Sequence, residues 1–187
     1  MAAVKLADFD QGRFMATWTY RDGEMERNAV IRSGACTVFS LVFVKLASLG
    51  KSLEEIGVLF RQNLEAIVRS QANGQKAHLA RGDGYDAVLK DVALNRSGDF
   101  VQASAMSHTI ASGDAWIHVF DTSFAFGPVQ ATAHTIAHLR MGDDVYTFDP
   151  NFGLWRVPSG EWNEWLLTHL TRSYNIATNS RFLKITK

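Results

Sequence analysis

The sequence predicts an α+β fold, an N-terminal helical half packed on a C-terminal antiparallel β-sheet. Two observations carry the class. As far as about Leu94 the apolar residues recur at helical spacing, as in Leu53, Ile56, Leu59, Phe60, Leu64, Ile67 and Val68. From Ala115 onward the period falls to two, in short β-branched and aromatic runs separated by Gly, Pro and Asp. Helices first and strands afterwards mark segregated rather than alternating elements. A length of 187 residues with 47% hydrophobic content suffices for one domain spanning residues 1–187.

The elements follow in order. Residues 1–12 show no pattern and read as a flexible lead-in. Arg13 to Tyr20 fits a short strand, followed by the turn-like Arg21-Asp22-Gly23. Asn28 to Arg32 leads into Ser33-Gly34-Ala35-Cys36, small residues that open the apolar helical run Val38 to Leu49, which Gly50 ends. Ser52-Leu53-Glu54-Glu55 has capping-box spacing and starts a helix to about Ala72, with Asn73-Gly74 as its stop. Asp83 caps a shorter helix from Gly84 to about Leu94, Asn95 to Gly98 has loop composition, and Phe100 to Met106 fits an extended segment. Strands follow at Ala115–Phe120, Val129–Arg140, Val145–Asp149 and Leu154–Val157. Ser159 opens a helix to about His169 with Trp162, Trp165, Leu166 and Leu170 on its apolar stripe, and Phe182–Thr186 is the last strand.

Charge and cysteine usage narrow the function. Lys plus Arg equals Asp plus Glu at 19 each, so no nucleic-acid or anionic-membrane partner is expected. The most apolar run, Val38 to Leu49, is too short to span a membrane and carries Lys45. A single cysteine makes no internal disulfide, which points to a reducing working compartment. Met1 to Asp10 lacks the apolar stretch of a cleavable signal peptide.

The chemistry concentrates in two places. His134, Ile136, His138 and Arg140 share one face of a strand, and Met141-Gly142-Asp143-Asp144 turns it into Val145-Tyr146-Thr147-Phe148. With Arg140 opposite Val145, Asp149 falls opposite Ile136 and becomes a diagonal neighbour of His134, roughly 7–8 Å away between Cα atoms. That is an imidazole oriented by a carboxylate, two-thirds of a nucleophilic triad. Cys36 at the start of its helix supplies a sulfur where the dipole favours thiolate. His138 reads as structural, Asp143 and Asp144 as solvated turn residues, and Trp155, Trp162 and Trp165 as core and cleft wall. A metal reading of His134 and His138 fails, since the glutamate of a zinc-peptidase helix is replaced by Thr135. On a strand the two histidines lie about 13 Å apart.

Three segments together resemble the YopT/AvrPphB family of bacterial effector cysteine peptidases. They are Ser33-Gly34-Ala35-Cys36 opening an apolar helix, His134-Thr135-Ile136-Ala137 opening a strand, and Phe148-Asp149-Pro150-Asn151-Phe152-Gly153. The order Cys, His, Asp and the fifteen-residue step from His134 to Asp149 also fit. The resemblance covers roughly Asn28 to Trp155 and implies a papain-like fold. It implies Cys36 as nucleophile, His134 as general base and acid, and Asp149 as the residue orienting the imidazole, with no cofactor. It further implies a virulence protein secreted by a bacterium, acting in the cytosol of a target cell on a protein substrate; a monomer is the expected state.

One feature departs from papain-like enzymes. A side-chain amide shortly before the nucleophile normally helps hold the oxyanion, a donor worth on the order of 10²–10³ in rate. Val30-Ile31-Arg32-Ser33 contains no amide, so the candidates for that role are Asn28, eight residues ahead of Cys36, and Ser33. The same triad chemistry serves a deamidase or a transglutaminase, and the same fold serves a catalytically inactive binding domain. Asp99 to Gly113 and Ser123 to Gln130 are the expected cleft rims.

Overall fold

The helix that starts at Cys36 is apolar on almost every side, and the architecture is what such a helix demands: a sheet beneath it and further helices around it. The computed structural model describes residues 2–19, 35–81, 84–102, 108–122, 125–126, 129–130, 133–174 and 180–187. Their elements in chain order are β1 (Val4–Ala7), α1 (Gln11–Thr19), α2 (Cys36–Ser48), α3 (Leu53–Gln62), α4 (Leu64–Arg81) and α5 (Gly84–Asp91). Then come β2 (Asn95–Gln102), β3 (Ala115–Asp121), β4 (Ala125–Phe126), β5 (Val129–Gln130), β6 (Ala133–Met141), β7 (Asp144–Asp149) and β8 (Gly153–Pro158). α6 (Trp162–Tyr174) and β9 (Ser180–Thr186) complete them.

Seven strands form one antiparallel sheet in the order β1-β8-β7-β6-β3-β9-β2. The alternation of side chains along β3 and β6 divides the core in two. Ile117, Val119, Ala137 and Leu139 pack with Phe39, Leu41, Phe43 and the other helical residues of α2 to α5. Phe120, Ile136 and Phe182 pack on the opposite side with Trp162, Leu166 and Leu170 of α6. The sheet is therefore covered on both faces, and its central strands carry few exposed residues.

The β6–β7 hairpin has the expected register, with Arg140 opposite Val145. Its loop is tighter than the four residues expected, because Met141 and Asp144 also pair. Only Gly142-Asp143 remains, and Gly142 takes φ +60°, which fits a type II′ turn. The capping box is formed as well: Ser52 Oγ accepts from the Glu55 N–H at 3.2 Å, and Glu55 Oε2 accepts from the Ser52 N–H at 2.8 Å.

Several expectations fail, each for a local reason. The described part of the expected lead-in, residues 2–12, is not loose, since Val4–Ala7 pairs with β8 as an edge strand. Arg13 onward is helix rather than strand. Asp10 caps it, its Oδ1 accepting from the Arg13 N–H at 3.1 Å, and this local bond outweighs the alternation of Phe14 and its neighbours. The helix from Ser52 breaks at Asn63, whose backbone N–H and Nδ2 both donate to the Leu59 carbonyl. It resumes as α4 and runs through Asn73-Gly74 to Arg81. Gly74 is there for packing, because a Cβ at that position would overlap Val88 of α5. Asn95–Gly98 is part of β2, paired to β9 across an irregularity between Ser97 and Val101. Asp83, and the expected cleft rims at 103–107, 123–124 and 127–128, lie outside the described residues.

The core also stores an acid sensitivity. His118 and His138 are fully buried, His118 Nε2 meeting Ser180 Oγ at 2.9 Å and His138 Nδ1 meeting Thr147 Oγ1 at 3.0 Å. Burial first, and neighbouring histidines second, push His118 down to about 3 and His138 well below its ordinary range. Unfolded, both bind protons near pH 6.5, so below that pH the unfolded chain gains protons that the folded one refuses and stability falls. Two such groups amount to about 4 kcal/mol between pH 7 and pH 5. A melting temperature followed by circular dichroism should therefore drop by about 10 °C between pH 7 and pH 5. A flat profile would show that the two rings reach solvent.

Candidate active site

The start of α2 is held by other parts of the chain rather than by its own cap. Ala35 precedes the helix at φ −119° and ψ 27° and has no polar side chain to cap it. Its N–H donates instead to Gln11 Oε1 at 2.9 Å, and the Val38 N–H donates to Gln71 Oε1 at 3.4 Å. Farther along, Thr37 Oγ1 meets Thr135 Oγ1 at 3.0 Å and Ser40 Oγ donates to the Thr135 carbonyl at 3.0 Å, which fastens α2 to β6. Cys36 is thereby fixed at the first helical position, as a free and buried thiol.

His134 lies one residue inside β6, on the side of the sheet facing α6, where its ring meets Phe120 and Tyr174. Asp149 ends β7 and is fully buried. His134 Nε2 and Asp149 Oδ1 are 2.9 Å apart. An ionised carboxylate only accepts, so His134 donates from Nε2 and Nδ1 is the nitrogen left for the thiol. Asp149 takes more than one donor. The Asn151 N–H reaches Oδ1 at 2.9 Å, His169 Nε2 reaches Oδ2 at 2.9 Å, and the Tyr174 hydroxyl reaches Oδ1 at 2.9 Å and Oδ2 at 2.8 Å.

These contacts decide the charges. Burial alone would raise the Asp149 carboxyl, but the His134 charge and the hydrogen bonds from His134 and His169 hold it well below the usual carboxylate range. Burial alone would lower His134; the Asp149 charge and hydrogen bond, reinforced by Cys36, raise it to about 10. Burial alone would raise the Cys36 thiol, and the charge and hydrogen bond of His134 together with Thr135 bring it below its ordinary value. The three groups favour thiolate, imidazolium and carboxylate in a row.

The structure thus brings Cys36, His134 and Asp149 together. Asn28 and Ser33 lie outside the described residues. His138 points to Thr147 and the Trp162 ring and takes no part. Among the described residues no group of three or more His, Cys, Asp or Glu side chains is placed to hold a metal ion. Nor, among them, is any helix long and apolar enough to cross a membrane. Sequence reasoning missed Gln11, Thr135, His169 and Tyr174. Thr135 adjoins a residue already singled out, and Asn151 stands in the Asp-Pro-Asn segment, but nothing in the spacing of Gln11, His169 or Tyr174 marks them.

Comparison with known proteins agrees with this layout. The Pseudomonas avirulence protein AvrPphB superimposes with a TM-score of 0.63 at 16% identity, over 82% of this chain and 92% of that one. PatoxP, a cysteine protease-like domain of the Photorhabdus asymbiotica toxin PaTox, superimposes with a TM-score of 0.53 at 10% identity. That match takes in 98% of this chain and 54% of the other. At such identities the likeness shows the fold, which is papain-like. No curated protein sequence matches the chain. The family model described as Yersinia/Haemophilus virulence surface antigen, peptidase C58, matches residues 58–186, a span that holds His134 and Asp149 and begins after Cys36. Matched over more than half its length, the chain belongs to the YopT/AvrPphB family of C58 cysteine peptidases.

Proposed function

We propose that the chain is a thiol endopeptidase of the bacterial effector type, with Cys36 as nucleophile, His134 as general acid and base, and Asp149 as the group that orients the imidazole. The observation that carries this reading is the hydrogen bond of His134 Nε2 to the buried Asp149, which leaves the other side of the ring to Cys36 at a helix start. The Cys36 thiolate attacks the peptide carbonyl carbon, a C–S bond forms, and the carbonyl electrons move onto oxygen. The N–H of Cys36, one of those a helix start leaves without an intrahelical partner, faces that oxyanion. As the intermediate collapses, imidazolium gives its proton to the departing amine and an acyl-thioester remains. Water then loses a proton to neutral His134 and attacks the thioester, releasing the acid and restoring the thiolate. By the family's character the substrate is a protein of a target cell, and the reducing cytosol there keeps the single cysteine active.

Alkylation of Cys36 by iodoacetamide, followed by intact mass from pH 5 to pH 9, tests the reading. The native chain is expected to react well below pH 7 at a rate that changes little with pH, because the thiolate persists on the acid side. His134→Ala should return the rate to that of an ordinary thiol, a loss of about 10²-fold at pH 6. An ordinary profile in both proteins would instead favour a binding domain that keeps the fold without the chemistry. Once a substrate is in hand, product mass separates the acyl-transfer outcomes: a cleaved fragment, a gain of about 1 Da for deamidation, or a cross-linked species.

A further inference from the structure

Gln11 joins the two segments that carry the reacting groups, from a part of the chain outside the family match. It is 3% exposed, and three of its polar groups are engaged. Its backbone N–H donates to the Pro150 carbonyl at 2.7 Å, its Oε1 accepts from the Ala35 N–H at 2.9 Å, and its Nε2 donates to Asn151 Oδ1 at 2.6 Å. Ala35 is the residue before Cys36, and Pro150 and Asn151 are the two residues after Asp149.

The orientation of this network follows from one backbone group. An amide N–H can only donate, so Ala35 fixes which end of the Gln11 side chain faces it, and that in turn fixes the sense of Asn151. Asn151 Nδ2 then donates to the Tyr174 hydroxyl oxygen at 3.2 Å, and the Tyr174 proton goes to Asp149. Asp149 holds His134, and His134 is paired with Cys36. With the Ala35–Cys36 peptide bond, these hydrogen bonds close a ring that passes through all three reacting groups and returns to Gln11.

We infer that Gln11 is a positioning residue for the thiolate–imidazolium pair, setting the separation between the start of α2 and the turn after β7. The inference rests on the peptidase reading and deepens it. Cys36 and Asp149 belong to different elements, and among the described residues Gln11 bonds to the neighbours of both. A displacement near 1 Å is enough to cost about 10²-fold in a positioned reaction. The competing account is a buried glutamine that satisfies its own polar groups and merely stitches α1 to the core. The two differ in what they predict for the thiol, since a stitch changes stability and leaves the Cys36 profile alone.

The experiment compares full-length native protein with Gln11→Met, which keeps length and apolar bulk and removes both side-chain hydrogen bonds. Iodoacetamide alkylation of Cys36 is measured from pH 5 to pH 9, with melting temperature alongside. The expected result is a folded variant whose rate at pH 6 is down by about tenfold or more, with the profile moved toward higher pH. Adding His134→Ala to Gln11→Met should cost far less than it does in the native chain, because both changes act on one pair. A native-like profile in Gln11→Met, whatever its melting temperature, overturns the inference and leaves the peptidase reading standing. An ordinary thiol profile in the native protein overturns both. Should the methionine variant fail to fold, Asn151→Ala breaks the same bridge from a half-buried turn; it is expected to move the profile in the same direction, and an unmoved one overturns the inference.

Discussion

Asp149→Asn is expected to slow the alkylation of Cys36 at pH 6 by about two orders of magnitude while the chain stays folded. Asparagine has the shape of aspartate, so its Oδ1 can still accept from His134 and from the Asn151 N–H, and its amide can turn toward Tyr174 and His169. What disappears is the negative charge. In the native chain burial works against the charged forms of both His134 and Cys36, and it is the Asp149 carboxylate that outweighs burial at His134. Without it the imidazole gives up its proton at neutral pH, the thiol loses its cationic partner, and burial then favours the neutral thiol. Ordinary cysteine, with a pKa near 8.5, holds less than about 1% thiolate at pH 6. Asp149→Ala separates charge from structure. It deprives His134, His169, Tyr174 and the Asn151 N–H of one shared, fully buried acceptor, which should cost about 3–5 kcal/mol and show as a lowered melting temperature. A native alkylation rate in a folded Asp149→Asn protein would mean that the carboxylate charge does not sustain the pair.

The parts of the site that sequence exposes are those whose geometry follows from periodicity. Residue parity along β6 and the turn at Gly142-Asp143 fix the β6–β7 register, and the register brings Asp149 to His134 without knowledge of anything else in the chain. The apolar run after Cys36 and the small residues before it likewise mark a helix start. Gln11 was not legible, because its role is made by two contacts more than twenty residues away in sequence, and its own surroundings suggest only a chain end. His169 and Tyr174 escaped for a similar reason. They come from α6, twenty or more residues beyond Asp149 in sequence, and they meet it at the end of β7 through hydrogen bonds that no local pattern announces. The misjudged elements are also the ones settled by distant partners. β2 carries a loop-like composition and is a strand because β9 offers it an edge, while Gly74 looks like a helix stop and is the place where α5 comes close.

Gly153→Ala should produce the largest loss of stability, and the way the structure accommodates it should reach the thiol. Gly153 opens β8 at φ +116°, a conformation that costs a residue with a side chain about 1–3 kcal/mol. A Cβ there would overlap the carbonyl oxygen of Ala7 and come within 3.1 Å of Asp8 Cα, adding a packing penalty of about 1–3 kcal/mol. Backbone cannot step aside as a flexible side chain can, so relief takes one of two forms. Either β1 lifts from β8, where Ala7 pairs with Leu154, or the β7–β8 turn shifts and takes Asp149, which pairs with Gly153. The first withdraws the segment that leads into Gln11, and the second moves the carboxylate itself. Both predict a melting temperature lower by about 10 °C or more together with a loss of acid-side alkylation. Limited proteolysis distinguishes them, since only a lifted β1 opens residues 4–10 to early cleavage. A variant melting within about 2 °C of the native protein, with its Cys36 profile intact, would show that the β1–β8 edge yields without disturbing the site, and the N-terminal strand would then have no part in holding the thiolate pair.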